Sequence, residues 1–174
     1  MSDEFRLPDW ESKRSSLDGP ADRLVRFEKA SRAIAEALIR NREVDRGGSG
    51  IPVVVEGNRD EDALRQLGFT GPIEKVNRGW DRPRMIAYLH SQYCIGRTPD
   101  GGPSIILLMD WDRTGGRIQS DLRERLMAMD SPVDERLRMT LLKAMKPEGR
   151  TVESLLAYVP SLRPLVQRLV SDLE

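Results

Sequence analysis

Two apolar runs that end in carboxylates constrain the fold of this chain most strongly. The first, residues 51–57 (IPVVVEG), passes from β-branched residues directly into Glu56, and the second, residues 105–115 (IILLMDWDRTG), passes into Asp110 and Asp112. A short apolar run bounded by turn residues predicts a strand buried in a parallel sheet. In open α/β sheets, ligands bind beyond the carboxyl ends of the strands, where the strand order reverses. If the two strands are neighbours at that point, the three carboxylates converge on one small volume.

The converging carboxylates predict a divalent metal site. Three carboxylates at close range repel one another unless a cation lies among them. Ligand sets made only of oxygen, with open positions, suit Mg²⁺ or Mn²⁺ better than zinc. The alternate spacing of Asp110 and Asp112 lets the turn after the strand bring both toward one ion. We therefore expect Glu56, Asp110 and Asp112 to hold Mg²⁺ (or Mn²⁺).

The same residues resemble the two signature motifs of the Toprim domain. Residues 53–60 (VVVEGNRD) with the following 63–68 (ALRQLG) are similar to the first motif, and Asp110-x-Asp112-x-x-Gly115 is similar to the second. The resemblance covers residues 51–145. Toprim domains occur in topoisomerases, bacterial-type primases, certain nucleases and a recombination mediator. The resemblance implies an α/β fold of the Rossmann-like, three-layer α/β/α type, with a roughly four-stranded, mostly parallel sheet.

The Toprim resemblance also implies roles for individual residues. The glutamate matching Glu56 acts as a proton carrier or metal ligand, and the aspartates matching Asp110 and Asp112 hold Mg²⁺. By the same carry-over Asp60 supports the site, which makes four candidate catalytic residues. Glycine at positions 57 and 115 would allow the backbone to approach phosphate closely.

The chain divides into four segments. Residues 1–18 form a polar leader, residues 19–50 a helix followed by a glycine-rich joint, residues 51–145 the Toprim-like domain, and residues 146–174 a helical extension. Apolar residues at three- and four-residue steps predict the first helix as amphipathic, and the segment Gly47–Gly50 is typical of a flexible joint. Two arrangements are open for the N-terminal and C-terminal helices, namely packing on the outer faces of the sheet or forming a dimer contact.

Arginines cluster beside the predicted acid site. Arg78, Arg82 and Arg84 share one loop with a single acid, Asp81, and this loop follows the predicted strand 73–76. The whole set of candidate phosphate-binding arginines is Arg59, Arg78, Arg82, Arg84, Arg113 and Arg117. Guanidinium groups hold phosphate oxygens in bidentate fashion; the alternative is that some of them pair with the acidic cluster or with helix carbonyls. Trp80 has two interpretations as well, stacking on a base or packing on its own domain.

Composition narrows the class of partner. Lys and Arg together number 28 and so do Asp and Glu, so no overall positive field attracts nucleic acid. Binding to nucleic acid must then depend on a local patch or on a bound metal. The single cysteine excludes an intramolecular disulfide and a cysteine-based zinc site. The chain carries no signal-like or membrane-spanning pattern, which predicts a soluble, cytoplasmic protein without a membrane partner.

These features favour a Mg²⁺-dependent enzyme that acts on nucleic-acid phosphodiester bonds. The chain has no room for the tyrosine-bearing domain of a topoisomerase or the zinc module of a primase. A stand-alone Toprim protein of this size is similar to the small Toprim nucleases, such as the bacterial enzyme that matures ribosomal RNA, and to small archaeal primase-like Toprim proteins. The expected partner is RNA or DNA, with a protein partner or a second copy of the chain as further possibilities.

Two other functions are open. One is a non-catalytic module that binds nucleic acid or protein, similar to the recombination mediator. The other is a metal-dependent hydrolase or transferase for a small phosphorylated substrate. The three carboxylates favour an enzyme, because an adaptor has no need of repelling charges, whereas the balanced net charge favours the adaptor.

Overall fold

The structure, a computed structural model, describes residues 20–174, with side chains from Asp22 onward. The predicted polar leader, residues 1–18, lies outside these residues. The helices are α1 (Pro20–Asn41), α2 (Asn58–Leu67), α3 (Arg82–Tyr93), α4 (Arg113–Met127), α5 (Arg136–Met145) and α6 (Val159–Leu173), with short 3₁₀ turns at Val44–Arg46 and Glu153–Tyr158. The strands are β1 (Val53–Val55), β2 (Ile73–Lys75), β3 (Ile105–Leu107) and β4 (Val133–Asp134). None of these helices combines the length and apolar character needed to cross a bilayer.

The four strands form one parallel sheet in the order β2-β1-β3-β4. Val54 of β1 lies opposite Glu74 of β2 on one side and Leu107 of β3 on the other. The chain first moves from β1 to β2 and then returns to the far side of β1 to form β3. The strand order therefore reverses between β1 and β3, so the carboxyl ends of these two strands meet at the switch point of the sheet. This confirms the predicted parallel α/β architecture.

Helices cover both faces of the sheet. Successive residues of a strand face opposite sides. Val53 and Val55 pack into a core with α1, α2, α5 and α6, whereas Val54 packs with Ile105 and Leu107 against α3 and α4. The result is a three-layer α/β/α body. The N-terminal helix α1 and the C-terminal helix α6 lie together on one face and contribute to the same core as the central segment.

The glycine-rich segment 47–50 is an ordered turn, so the expectation of a flexible joint is wrong. Ser49 N donates to Arg40 O at 3.1 Å, and Gly50 N donates to Arg42 O at 2.8 Å. A Cβ atom at Gly48 would lie 2.0 Å from Arg42 O. The glycines let the chain fold back onto the free carbonyls at the end of α1, which need donors.

A buried amide ties α1 to the sheet. Asn41 is fully buried at the end of α1, and its Nδ2 donates to Ile51 O at 2.9 Å and Pro72 O at 2.8 Å. Its Oδ1 accepts from Gly71 N at 2.9 Å. Ile51 and Pro72 precede β1 and β2, so this one side chain holds the entry points of two adjacent strands against the helix.

We expect Asn41→Ala to lower the free energy of unfolding by roughly 2–4 kcal/mol, because three buried backbone groups lose their partner. Chemical denaturation monitored by circular dichroism measures the change. The matched control is Gln66→Ala, at an exposed position of α2, for which we expect a change within about 0.5 kcal/mol. Equal effects of the two substitutions would contradict the role given to Asn41.

Candidate active site

Glu56 and Asp110 face each other at the switch point. Glu56 directly follows β1, and Asp110 lies just beyond the end of β3. Each of the two carboxyl groups changes the pKa of the other, so they lie close together. The Glu56 Oε1 atom is buried and has no hydrogen-bond partner among the residues that the structure describes. Because buried polar atoms are nearly always paired, this oxygen is a candidate to carry a proton or to bind a cation.

The backbone around Asp110 is held by buried polar side chains. Arg138 of α5 is 9% exposed, and it donates from Nε to Met109 O at 3.1 Å and from Nη2 to Asp110 O at 2.9 Å. Gln119 of α4 accepts from Met109 N at 3.2 Å. The Asp110 carboxylate itself accepts from Val152 N at 2.8 Å. The position of this carboxylate is therefore fixed from three separate elements.

Asp60 fixes the turn that carries Glu56. It lies in the first turn of α2, is 7% exposed, and accepts from Gly57 N at 3.0 Å. A carboxylate at this point also suits the positive end of the helix dipole. The expected supporting role of Asp60 thus corresponds to a defined contact next to Glu56.

Asp112 lies beside the pair, but one of its oxygens caps a helix. Its Oδ1 accepts from Gly115 N at 2.7 Å at the start of α4. A Cβ atom at Gly115 would lie 2.0 Å from Asp110 O, so glycine is required here for the chain to turn tightly around Asp110. The close contact with the Asp110 carbonyl explains why residue 115 is glycine. From the sequence, this glycine was instead expected to let the backbone approach a phosphate group.

The site is short of positive charge. Burial, followed by the charges of Asp110 and Asp60, raises the pKa of Glu56 to about 7. Burial also raises the pKa of Asp110, against the opposing effect of its hydrogen bond from Val152, and the pKa of Asp60 is raised mainly by burial. Near neutral pH the facing pair therefore retains a proton unless another cation replaces it.

The donor set fits a hard divalent cation in part. Glu56 and Asp110 interact with each other, whereas an oxygen of Asp112 is occupied by the cap of α4. Within residues 22–174, no group of three or more His, Cys, Asp or Glu side chains has the geometry to hold a metal ion. The unpaired Glu56 oxygen and the facing carboxylates are nevertheless the oxygen ligands that Mg²⁺ or Mn²⁺ prefers.

Three of the six candidate arginines are paired with carboxylates. The pairs are Arg59–Glu153 at 3.0 Å, Arg78–Glu74 at 2.5 Å and Arg82–Asp121 at 3.0 Å. The Arg59–Glu153 pair is exposed and contributes little stability, so it does not prevent binding of phosphate, whereas Arg78 is held by the buried Glu74. For these three positions the structure agrees with the pairing alternative, although only Arg59 pairs with a carboxylate close to the acid site.

The other three candidate arginines have no ion pair with a described residue. Arg84, Arg113 and Arg117 are exposed, and Arg84 lies over the ring of Trp80. Arg113 and Arg117 belong to the first turns of α4, directly after Asp112. Their guanidinium groups are the basic side chains nearest in sequence to the second acidic motif.

Glu153 is a site residue that the sequence did not reveal. It begins the 3₁₀ turn after Val152, pairs with Arg59, and its charge acts on both Asp60 and Asp110. The preceding segment is held to the site because Trp111 donates to Arg150 O at 2.9 Å and, from Nε1, to Gly149 O at 2.7 Å. The C-terminal extension thus forms one wall of the site. No motif marks Glu153, because its place depends on where the chain returns.

Comparison with known proteins identifies the family. The chain is 30% identical over 138 residues to a UPF0292 protein of Methanosarcina acetivorans, a match that spans 79% of this chain and 87% of that protein. The chain belongs to the UPF0292 family. UPF0292 proteins of Pyrococcus abyssi and Methanocaldococcus jannaschii are 32% and 26% identical, over 70% and 76% of this chain and 81% and 91% of theirs. No family model matches the chain. Among solved structures, a putative protein from Aquifex aeolicus aligns with a TM-score of 0.46 at 21% identity, over 78% of this chain and 97% of that one.

We expect Glu56→Gln to stabilise this UPF0292 protein at pH 8 in the presence of EDTA. The pKa of Glu56 is raised from 4.5 to about 7, so folding favours the protonated carboxyl group. This contribution to stability is fully present below about pH 4.5 and is lost as the pH rises through 7. Glutamine stays neutral throughout. After allowance for solvent screening we expect a gain of roughly 1–2 kcal/mol at pH 8 that vanishes near pH 4.5.

Thermal and chemical unfolding between pH 4.5 and 8.5 would measure this difference. Glu124→Gln, on an exposed position of α4, is the matched control. The raised pKa of Glu56 would be contradicted if the wild-type protein were as stable as Glu56→Gln at pH 8, or if the control variant showed the same trend.

Proposed function

We propose that this chain is a Toprim-type, Mg²⁺-dependent protein that acts on nucleic-acid phosphodiester bonds, as a small nuclease or RNA-processing enzyme. The observation that carries the proposal is the buried Oε1 of Glu56, which has no hydrogen-bond partner in the described part of the chain, on a carboxyl group that interacts with Asp110 at the switch point of a parallel sheet. Both carboxylates belong to motifs that resemble the Toprim signature, in the Toprim order. The site lies where open α/β sheets bind their ligands.

The stability that the protein loses by placing Glu56 beside Asp110 supports an enzyme over a simple binding module. Two half-buried carboxyl groups that act on each other destabilise the fold above neutral pH, and perturbed pKa values of this kind concentrate at functional sites. A group with a pKa near 7 is suited to accept or donate a proton under physiological conditions. Glu56 is therefore assigned as the proton carrier, and as a ligand when a cation is present.

The remaining residues have supporting roles. A divalent cation bound at this site would supply charge stabilisation on the phosphodiester oxygens. Asp110 and Asp112 provide oxygen ligands for it, while Asp60 holds the Gly57 turn in place. Arg113 and Arg117, exposed at the start of α4, bind neighbouring phosphates.

An extended substrate fits better than a small phosphorylated molecule. Basic groups that have no ion pair among residues 22–174 follow the carboxyl ends of two strands, with Arg84 at the start of α3 and Arg113 at the start of α4. Such separated charges can contact successive phosphates of one strand. The free Cys94, on a chain that has no second cysteine, fits a reducing cytoplasmic setting, and a protein partner or a homodimer could add affinity.

The balanced net charge favours one alternative, a non-catalytic binding module. A chain with 28 basic and 28 acidic residues attracts nucleic acid only through local patches. In that case the protein would bind RNA or DNA, or a protein, and none of the acid-site substitutions would change any bond cleavage.

We expect Mg²⁺- or Mn²⁺-dependent cleavage of labelled RNA or DNA by the wild-type protein. Glu56→Gln and Asp110→Asn should each lower the rate by roughly 100-fold or more, as expected for loss of a proton carrier or metal ligand. Asp62→Asn, an exposed carboxylate on the same helix as Asp60, is the matched control and should cleave normally. Binding without cleavage by every protein, wild type included, would favour the binding module.

We also expect metal binding to release protons near pH 7. Because the pKa of Glu56 is raised to about 7, part of the protein carries a proton there at neutral pH, and a cation must displace it. Calorimetric titration of Mn²⁺ in two buffers that differ in ionisation enthalpy would measure the release. Glu56→Gln should remove it, and identical heats in the two buffers for the wild-type protein would contradict the assignment.

A further inference from the structure

Trp80 is enclosed by cationic and aromatic side chains at the carboxyl end of β2. The guanidinium carbon of Arg84 lies 4.4 Å from the centroid of the indole ring, and that of Arg78 lies 4.8 Å from it. The ring of Tyr88 meets the indole edge-on, with the centroids 5.2 Å apart and the planes at 73°. Trp80 remains half-buried, so part of the indole is still open to solvent.

This arrangement is fixed before any ligand arrives. Arg78 donates to Glu74 at 2.5 Å and to Lys75 O at 2.8 Å. Glu74 is 8% exposed and also accepts from the hydroxyl groups of Tyr88 at 2.8 Å and Tyr93 at 2.6 Å. Binding to such a surface loses little conformational entropy, because the aromatic groups and Arg78 are already held in position.

Arg84 is the member of the group that no ion pair with a described residue holds. It is exposed and has no carboxylate partner within the described part of the chain, while its backbone N–H is used in capping α3 through Asp81 at 2.9 Å. The guanidinium group is planar and stacks on aromatic faces. A nucleobase is a planar ring of the same kind, so it can enter between Arg84 and Trp80 and stack on both.

The loop that carries Trp80 starts at the acid site. Asn77 N donates to Glu56 O at 2.9 Å, and Val76 N donates to Val55 O at 2.9 Å. Trp80 follows Asn77 by three residues, a span of at most about 11 Å. That distance corresponds to about three stacked nucleotides at roughly 3.4 Å each. A strand that runs from the acid site along this loop can therefore reach the indole within about three nucleotides.

We propose that Trp80 and Arg84 form a stacking site for an unpaired nucleobase of the strand that occupies the acid site. The substrate class is then nucleic acid with single-stranded nucleotides, such as a loop, a bulge or a free end, since the bases of a continuous duplex already stack on each other. The relevance to cleavage rests on the function proposed above, but the stacking itself does not require catalysis.

Binding of labelled oligonucleotides to Glu56→Gln protein, measured by fluorescence anisotropy, tests the proposal. Single-stranded RNA, single-stranded DNA and duplexes of the same sequence are compared at fixed salt. Adding Trp80→Leu should weaken binding of the single strands by roughly 5- to 150-fold, the effect of losing one base–aromatic stack, and change duplex binding little. Trp80→Phe should retain most of the affinity, because it preserves an aromatic face and also the fold.

A charge control separates stacking from simple electrostatics. Arg97→Ala removes one exposed arginine on the loop after α3 and should leave single-strand binding nearly unchanged, whereas Arg84→Ala should weaken it. Equal affinity of Trp80→Leu and its parent for single strands, or equal losses for single strands and duplexes, would overturn the stacking site. If the stacking site fails in this way, cleavage that depends on Glu56 would still support the proposed function. If single-strand binding depends on Trp80 but the wild-type protein cleaves nothing, the stacking site is supported and the proposed enzymatic function is overturned.

Discussion

The parallel pairing of β1 with β3 determines where the chemistry of this protein lies. Ile106 N donates to Pro52 O at 3.0 Å and Leu108 N donates to Val54 O at 2.8 Å, so the two strands run side by side in the same direction. Because parallel strands end at the same edge of a sheet, Glu56 and Asp110 must leave the core together. Arg138 then holds the backbone at the end of β3, and Asp60 holds the turn after β1. The acid pair is thus a consequence of strand order, stabilised by side chains on other elements.

The segments at either end of the chain belong to the same body as the central sheet. Helices α1 and α6 lie on one face and complete the core that begins with Val53 and Val55. The return of the chain after α5 places Val152 N on the Asp110 carboxylate and Glu153 beside Asp60. A truncation to the region of Toprim resemblance would therefore remove part of the core and one wall of the site. This link between the C-terminal segment and the acid pair explains why the carboxylates are buried enough to have raised pKa values.

Sequence reasoning was sufficient where local pattern decides the structure. The runs 51–55 and 105–109 are continuous and apolar, and a strand buried on both faces has that composition, so β1 and β3 could be predicted. The meeting of Glu56 with Asp110 was expected only if these two strands were neighbours, which the sheet shows them to be. The turn at Gly47–Gly50 could not, because its order depends on free carbonyls of a preceding helix. The partners of Arg59, Arg78 and Arg82 could not either, since a long side chain pairs with whichever carboxylate the fold brings near. Glu153 was missed for the related reason that a non-local return of the chain, with no sequence motif, brings it to the site.

A crystal structure of the protein soaked in Mn²⁺, with anomalous data collected near the manganese absorption edge, tests the central claim most directly. We expect an anomalous peak within about 2.0–2.4 Å of carboxylate oxygens of Glu56 and Asp110, the range of hard divalent cations bound by oxygen. We expect Glu56 Oε1, which has no hydrogen-bond partner within residues 22–174, to be one of the ligands. A map with no peak between these two carboxylates at saturating Mn²⁺, or a Glu56 side chain turned into the core, would contradict the assignment of a metal-dependent acid site.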